Sequence, residues 1–215
     1  TQGVSSAASD VYKRQNLQKA MSYIMAIHVP IIGLSLIPAF IKDIPILLMP
    51  LHIVFMELII DPVCSVAFES ENEEKNIMSR LPKTVNEPFF GNKKIIAGIV
   101  KGFLLLLMVL FVYFFTFREG HTDEEIRAIT FSSLIIGNIF LILASLSTSR
   151  SFIYIFTGEN KAALLLLFLA IILLLLILFV PSLQQLFSFG YPGIKHFWLS
   201  ISSSIGFLLI FECAK

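Results

Sequence analysis

The sequence predicts an all-α membrane protein of six transmembrane helices in three hairpins, with the second helix broken at Asp61-Pro62. Three observations predict it. Of 215 residues, 56% are hydrophobic and only 14% are charged, whereas soluble domains average about 45–50% apolar and about 25% charged. The mean hydropathy is +0.84. The apolar residues also gather into stretches near the roughly 20 residues that cross a bilayer core, with polar breaks between them. A formal net charge of +1 with no clustered basic face gives no footprint of a nucleic-acid partner. Cys64 and Cys213 lack CxxC or Cys/His spacing, so neither a disulfide framework nor a zinc site follows from them.

The first apolar stretch covers roughly 20–41 and the second roughly 46–68, joined by the short turn KDIP. A polar segment, ESENEEKNIMSRLPKTVNEPFFGNKK, leads to a third at roughly 95–117. The loop REGHTDEE precedes the fourth, roughly 126–147, and STSRSFIYIFTGENK precedes the fifth, roughly 162–181. After QQLFSFGYPGIKH comes the sixth, roughly 197–212. Residues 1–15, TQGVSSAASDVYKRQ, lack the charged start, apolar core and cleavage site of a secretory signal. They are expected to be a non-native or disordered leader, with the membrane domain covering 16–215.

Basic residues orient the chain, because cytoplasmic loops carry the excess of Lys and Arg. With the N-terminus cytoplasmic, that side holds Lys13, Arg14, Lys19, Lys75, Arg80, Lys83, Lys93, Lys94, Arg150, Lys161 and Lys215. The opposite side holds Lys42, Arg118, Arg127 and Lys195. Both termini are therefore expected in the cytoplasm. Lys101, one to two turns into the third span, is read as an anchor that snorkels to the boundary.

The chemistry concentrates in residues 57–62, ELIIDP, within the second span. An ionisable residue at mid-span costs about 2.5–3.5 kcal/mol on insertion scales, which makes it a functional-site hypothesis by default. Glu57 and Asp61 stand four residues apart and so share one helix face, from which both carboxylates are expected to enter one cavity between helices. Pro62 has no amide hydrogen to give the Leu58 carbonyl, so the helix is expected to loosen over 58–61. Carboxylates and freed carbonyls are hard oxygen ligands, suited to calcium, magnesium, sodium or protons. His28, two residues before Pro30 in the first span, reads either as a ligand or proton-relay group or as a packed core histidine. Asn138 in the fourth span reads either as an oxygen ligand to the same ion or as an interhelical hydrogen bond to Ser132, Ser133 or another helix. Gly98 and Gly102 in the third span have small-xxx-small spacing, which points to close helix packing.

The runs NLQKAMSYIMAIHVPIIGLSLIP and PLHIVFMELIIDPVCSVAFESE, then NIMSRLPK followed by EPFF, resemble the C-terminal membrane region of P-type cation-transporting ATPases, in the group that includes calcium pumps. The resemblance spans residues 16–215 and is most specific over 16–83. IMSRLPK is similar to the cytoplasmic I-M-x-R-x-P-[RK] signature after the sixth membrane helix of such pumps, with Leu81 where proline is commoner. It implies that these are the last six of ten helices, in a bacterial plasma membrane. It also implies partners: the lipid bilayer, a transported cation and the N-terminal part of the same pump.

The resemblance carries over to ligands position by position. Sarco/endoplasmic reticulum calcium pumps have Asn, Thr and Asp in the broken helix, at the positions of Glu57, Ile60 and Asp61, so only the aspartate is retained. Their Asn and Glu in the preceding helix fall at His28 and Ile31, and the glutamate of their eighth helix at Asn138. The metal set implied here is therefore Glu57, Asp61, His28 and Asn138, enough for one two-charge site, with calcium one candidate ion. No D-K-T-G-T motif occurs, so a phospho-aspartate, ATP and magnesium belong to domains outside this stretch, and the stretch alone is not expected to hydrolyse ATP. The competing readings are a secondary cation or proton-coupled transporter, which would show repeated halves, and a stand-alone ion-binding membrane protein. An intramembrane hydrolase has no G-x-S-x-G or H-E-x-x-H pattern to support it.

Overall fold

The computed structural model describes residues 2–41, 44–71, 92–146, 160–191 and 193–213. The IMSRLPK signature and the 147–159 loop lie outside these residues. The described chain is an up-and-down bundle of seven α-helices, α1 (Gln2–Phe40), α2 (Pro50–Pro62), α3 (Asn92–Arg118), α4 (Asp123–Leu146), α5 (Lys161–Phe179), α6 (Pro181–Phe187) and α7 (Gly193–Cys213). A π-helical segment, Val63–Ala67, continues α2. Among the described residues there is no strand, and α1, α2 with its π segment, α3, α4 and α5 are long and apolar enough to cross a membrane. The six long helices overlie the six apolar stretches, α7 on the last.

Two features depart from the sequence reading. Residues 2–15, expected as a non-native or disordered leader, are helical and open α1. After Gly3 no glycine or proline interrupts the chain before Pro30, so nothing local stops helix propagation. The second departure is α6, inside what reads as a loop. Pro181 occupies its first turn, where a missing amide hydrogen costs nothing. Its end is set by Ser188 at φ 51°, with the Phe189 amide donating to the Gln184 carbonyl at 2.8 Å.

The bundle centres on α4, which is buried along nearly its whole length. Several of its polar residues are paired inside the bundle, as removal from water and lipid favours, although the buried Thr130 hydroxyl has no hydrogen-bond partner among the described residues. Ser132 donates to the Ala128 carbonyl, and the Ser133 hydroxyl lies 2.8 Å from both the Ile129 carbonyl and the Ser200 hydroxyl of α7. Glycines set how closely the other helices approach. A Cβ at Gly102 would lie 2.2 Å from the Ala26 carbonyl oxygen, and one at Gly98 would lie 2.8 Å from that of Ser22. The expected small-xxx-small seam is thus the α1–α3 contact, with the two helices running parallel. Gly137 of α4 receives Leu105 and Met108 of α3 in the same manner.

Each end of the bundle has its own polar lock. At one end Asn160 caps α5 by accepting the Ala163 amide at 3.0 Å. Its Nδ2 donates to the Ala67 carbonyl at 2.9 Å and to Glu71 Oε2 at 2.8 Å, while Asn16 donates to the Glu71 carbonyl. At the other end the buried Arg127 donates from Nε to the Ile46 carbonyl at 3.0 Å and from Nη1 to that of Ser188 at 2.6 Å. Beside it His52, fully buried, stacks on Phe187 and Phe189. His52 also accepts the Met49 amide at Nδ1 and donates from Nε2 to the Phe187 carbonyl. It reaches back to the helix N-cap as the third residue of a capping box does.

Filling the α1–α3 seam should loosen the bundle. Gly102→Ala is expected to destabilise the protein by about 1–3 kcal/mol, as overpacking does, read as a lower melting temperature in detergent. Gly206→Ala, inside α7 where an added Cβ meets nothing within 4 Å, should not lower that temperature and should raise it slightly, since Ala favours helix over Gly.

Candidate cation site

The second apolar stretch becomes α2 because Pro50 fits the first helical turn and His52 secures the N-cap amide. The α-helical pattern persists through Pro62, so the expected loosening over 58–61 is not where the irregularity falls. It comes one residue later. The Val63 amide is shared between the Ile59 and Ile60 carbonyls, and the Phe68 amide reaches back five residues to Val63 at 3.3 Å. Pro62 still offers the Leu58 carbonyl no donor. The Ser65 hydroxyl donates to the Asp61 carbonyl at 2.9 Å. Single π turns of this kind recur at functional sites, and Asn160 holds the far end of this one through Ala67.

Six residues before the π segment, α1 and α2 meet through two of the sequence-derived site residues. His28 Nε2 lies 3.6 Å from Glu57 Oε1. His28 Nδ1 is 2.8 Å from the Ile24 carbonyl oxygen, which can only accept, so Nδ1 carries the hydrogen. In the neutral ring Nε2 then presents a lone pair to the carboxylate. Two electron-rich atoms facing each other at this distance repel unless a proton or a cation lies between them. Asp61 is on the same face of α2 as Glu57 and is exposed.

The structure does not place these groups in an enclosed cavity. His28 and Glu57 are 41% and 39% exposed, and the flanking Val54 and Leu58 are more exposed still. Among the described residues, the exposure of Val54, Glu57, Leu58 and Asp61 makes this side of the α1–α2 hairpin an open face. Asn138 is not brought to the same place. It is buried in α4, and its Oδ1 accepts the Tyr23 hydroxyl at 2.9 Å. Of the two readings left open for Asn138, the interhelical hydrogen bond is the one this geometry displays, with Tyr23 rather than Ser132 or Ser133 as partner. An open cleft of about 450 Å³, lined by Lys13, Asn16, Ser65 and Glu69 among others, lies between α1 and the π turn.

Residues 45–215 match the family described as cation transporting ATPase, C-terminus. The chain belongs to that family. No match is found among curated proteins. The match covers α2 to α7, and it makes this bundle the C-terminal membrane region of a cation-transporting ATPase, a multi-pass membrane protein.

Two components of this pump region escaped sequence reasoning. The π turn follows from Pro62 together with the anchoring of Ala67 by Asn160, whose position beside it depends on the fold. Tyr23 could be suspected only as a hydroxyl inside an apolar stretch, a signal shared with many packed tyrosines. The Tyr23–Asn138 bond joins α1 to the central helix. Tyr23→Phe should therefore lower stability by about 0.6 kcal/mol, and at most about 1.7 kcal/mol, the range for membrane hydrogen bonds. In a double-mutant cycle with Asn138→Leu, thermal melts should show the two substitutions to be non-additive.

Proposed function

We propose that the face formed by His28, Glu57 and Asp61 is the cation-binding station of an ATP-driven pump. The observation that carries this reading is the approach of His28 Nε2 to Glu57 Oε1, 3.6 Å apart with the histidine hydrogen committed to Ile24. Glu57 and Asp61 supply the two negative charges and the oxygen ligands for one hard cation, calcium being the first candidate. Imidazole nitrogen is a poor partner for such an ion, so His28 has a different task. It takes a proton against Glu57 when the cation leaves, which relieves the repulsion and gives the site an ion to carry back.

The open face supports a role within a larger assembly. Leaving Glu57 and Asp61 against lipid would carry the mid-membrane penalty of about 2.5–3.5 kcal/mol per charge. Further helices of the same pump covering this side would convert it into the buried, polar-lined pathway in which membrane carboxylates are found. Phosphorylation of a soluble domain, with ATP and magnesium bound there, would drive exposure of the site to alternate sides. The cleft between α1 and the π turn, with Ser65 on its wall and bonded to the Asp61 backbone, offers a route to the site from the end that carries Asn16 and Asn160. That end is assigned to the cytoplasm on the distribution of basic residues. In this arrangement Asn138 joins the ion only if Tyr23 releases its Oδ1.

Binding of radiolabelled calcium to the chain in lipid nanodiscs tests the reading. Asp61→Asn and Glu57→Gln are each expected to weaken binding at least about tenfold, because affinity at oxygen sites follows ligand charge. Binding that is unaltered in Asp61→Asn sinks the proposal.

A further inference from the structure

At the end of the bundle marked by Arg127 and His52, the turn between α3 and α4 meets the first turn of α7, through residues other than Glu57 and Asp61. Glu119 and His121 come from the turn and His196 from the helix. Glu119 Oε2 lies 3.5 Å from His121 Nε2 and 3.5 Å from His196 Nδ1. One ligand atom from each of the three residues falls within 4.8 Å of the others. The two imidazole rings stand edge to face with centroids 4.3 Å apart.

The atoms that converge are chosen by their neighbours. His121 Nδ1 is 3.0 Å from Glu125 Oε2, and a carboxylate fixes the hydrogen on that nitrogen and leaves the Nε2 lone pair directed at Glu119. Glu125 is itself held: the Thr122 amide donates to its Oε2 at 3.1 Å, and its own amide donates to Thr122 Oγ1 at 3.3 Å. This reciprocal capping box starts α4. Gly190 closes over it, since a Cβ there would lie 3.1 Å from the Glu125 amide nitrogen. A histidine whose second nitrogen is bonded to a carboxylate is the usual outer arrangement of a metal-ligating imidazole.

We infer that Glu119, His121 and His196 form a binding site for a divalent transition-metal ion of the zinc class, with Glu125 as the carboxylate that orients His121. Zinc takes histidine nitrogen and carboxylate oxygen at about 2.0–2.2 Å in a tetrahedron, which puts neighbouring ligand atoms about 3.3–3.5 Å apart. Both Glu119 edges already have that length. Nitrogen-rich donors distinguish this site from the oxygen chemistry of Glu57 and Asp61. Three protein ligands leave a fourth position for solvent. The bound ion would fasten α7 to the α3–α4 hairpin, so occupancy would restrain relative movement of these helices.

The test is Co2+ binding to the chain in nanodiscs, with His28→Ala and Glu57→Gln as background so that the other site contributes nothing. The expected result is the visible absorption of tetrahedral Co2+, displaced by Zn2+ and accompanied by a higher melting temperature. His121→Ala, His196→Ala and Glu119→Gln should each weaken binding at least about tenfold, and Glu125→Gln about tenfold or more. Glu119 is 41% exposed, so its replacement leaves the packing intact, and far-UV circular dichroism checks that each variant is folded. Absence of a Co2+ signal in folded protein overturns the inference, leaving a cluster held by protons alone. A signal that persists in Glu119→Gln and His196→Ala also overturns it.

Discussion

A polar group that leaves water for the interior of a bilayer must find its partner within the protein, and the architecture of this pump region follows from that constraint. Ser132 and Ser133 on α4 return their hydroxyls to the helix backbone, and Ser133 also meets Ser200. Asn138 takes the Tyr23 hydroxyl. Arg127 spends its donors on the Ile46 and Ser188 carbonyls, and His52 uses both ring nitrogens on backbone groups. The bonds of Ser133 to Ser200, Asn138 to Tyr23, Arg127 to Ile46 and Ser188, and His52 to Phe187 join elements far apart in the chain, so there pairing the polar groups and assembling the helices are one process. Glycine supplies the approach distance: Gly98, Gly102 and Gly137 remove the side chains that would hold α1, α3 and α4 apart.

Against this background the α1–α2 face stands out because its charges are not absorbed in the same way. His28 Nε2 and Glu57 Oε1 lie 3.6 Å apart, a pair that lacks a donor when the ring is neutral, and Asp61 is exposed a turn further on. The backbone below them is irregular for a defined reason. Pro62 withholds an amide, the Val63 amide is shared, and a π turn follows whose last carbonyl is anchored by Asn160. Among the described residues the buried hydroxyls of Tyr113 and Thr130 are the exceptions to this pairing, and the exposed carboxylates beside an irregular helix are the feature on which the proposed cation station rests.

The sequence makes some of this legible and hides the rest for physical reasons. Apolar length fixes the long helices, since a bilayer demands about 20 residues from each crossing. The Gly98 and Gly102 spacing is local and reads correctly as a packing seam. The irregularity near Pro62 is also foreseeable, but its placement after the proline depends on Asn160, which reaches Ala67 across 93 residues. His52 gains its meaning from Phe187, 135 residues away, and His121 from His196 in the first turn of α7. Pairings of that kind are made by topology rather than by spacing. The α6 helix stays hidden because seven residues are too few for a clear period.

The central claim is that a proton on the His28–Glu57 pair and a cation at Glu57 and Asp61 exclude each other. Nitrogen-15 NMR of His28 in nanodiscs, at mildly acidic pH with and without calcium, addresses it directly. The account predicts that Nδ1 stays protonated throughout, held by Ile24, while added calcium removes the proton from Nε2. A His28 ring whose two nitrogens keep the same protonation with and without the cation would contradict it.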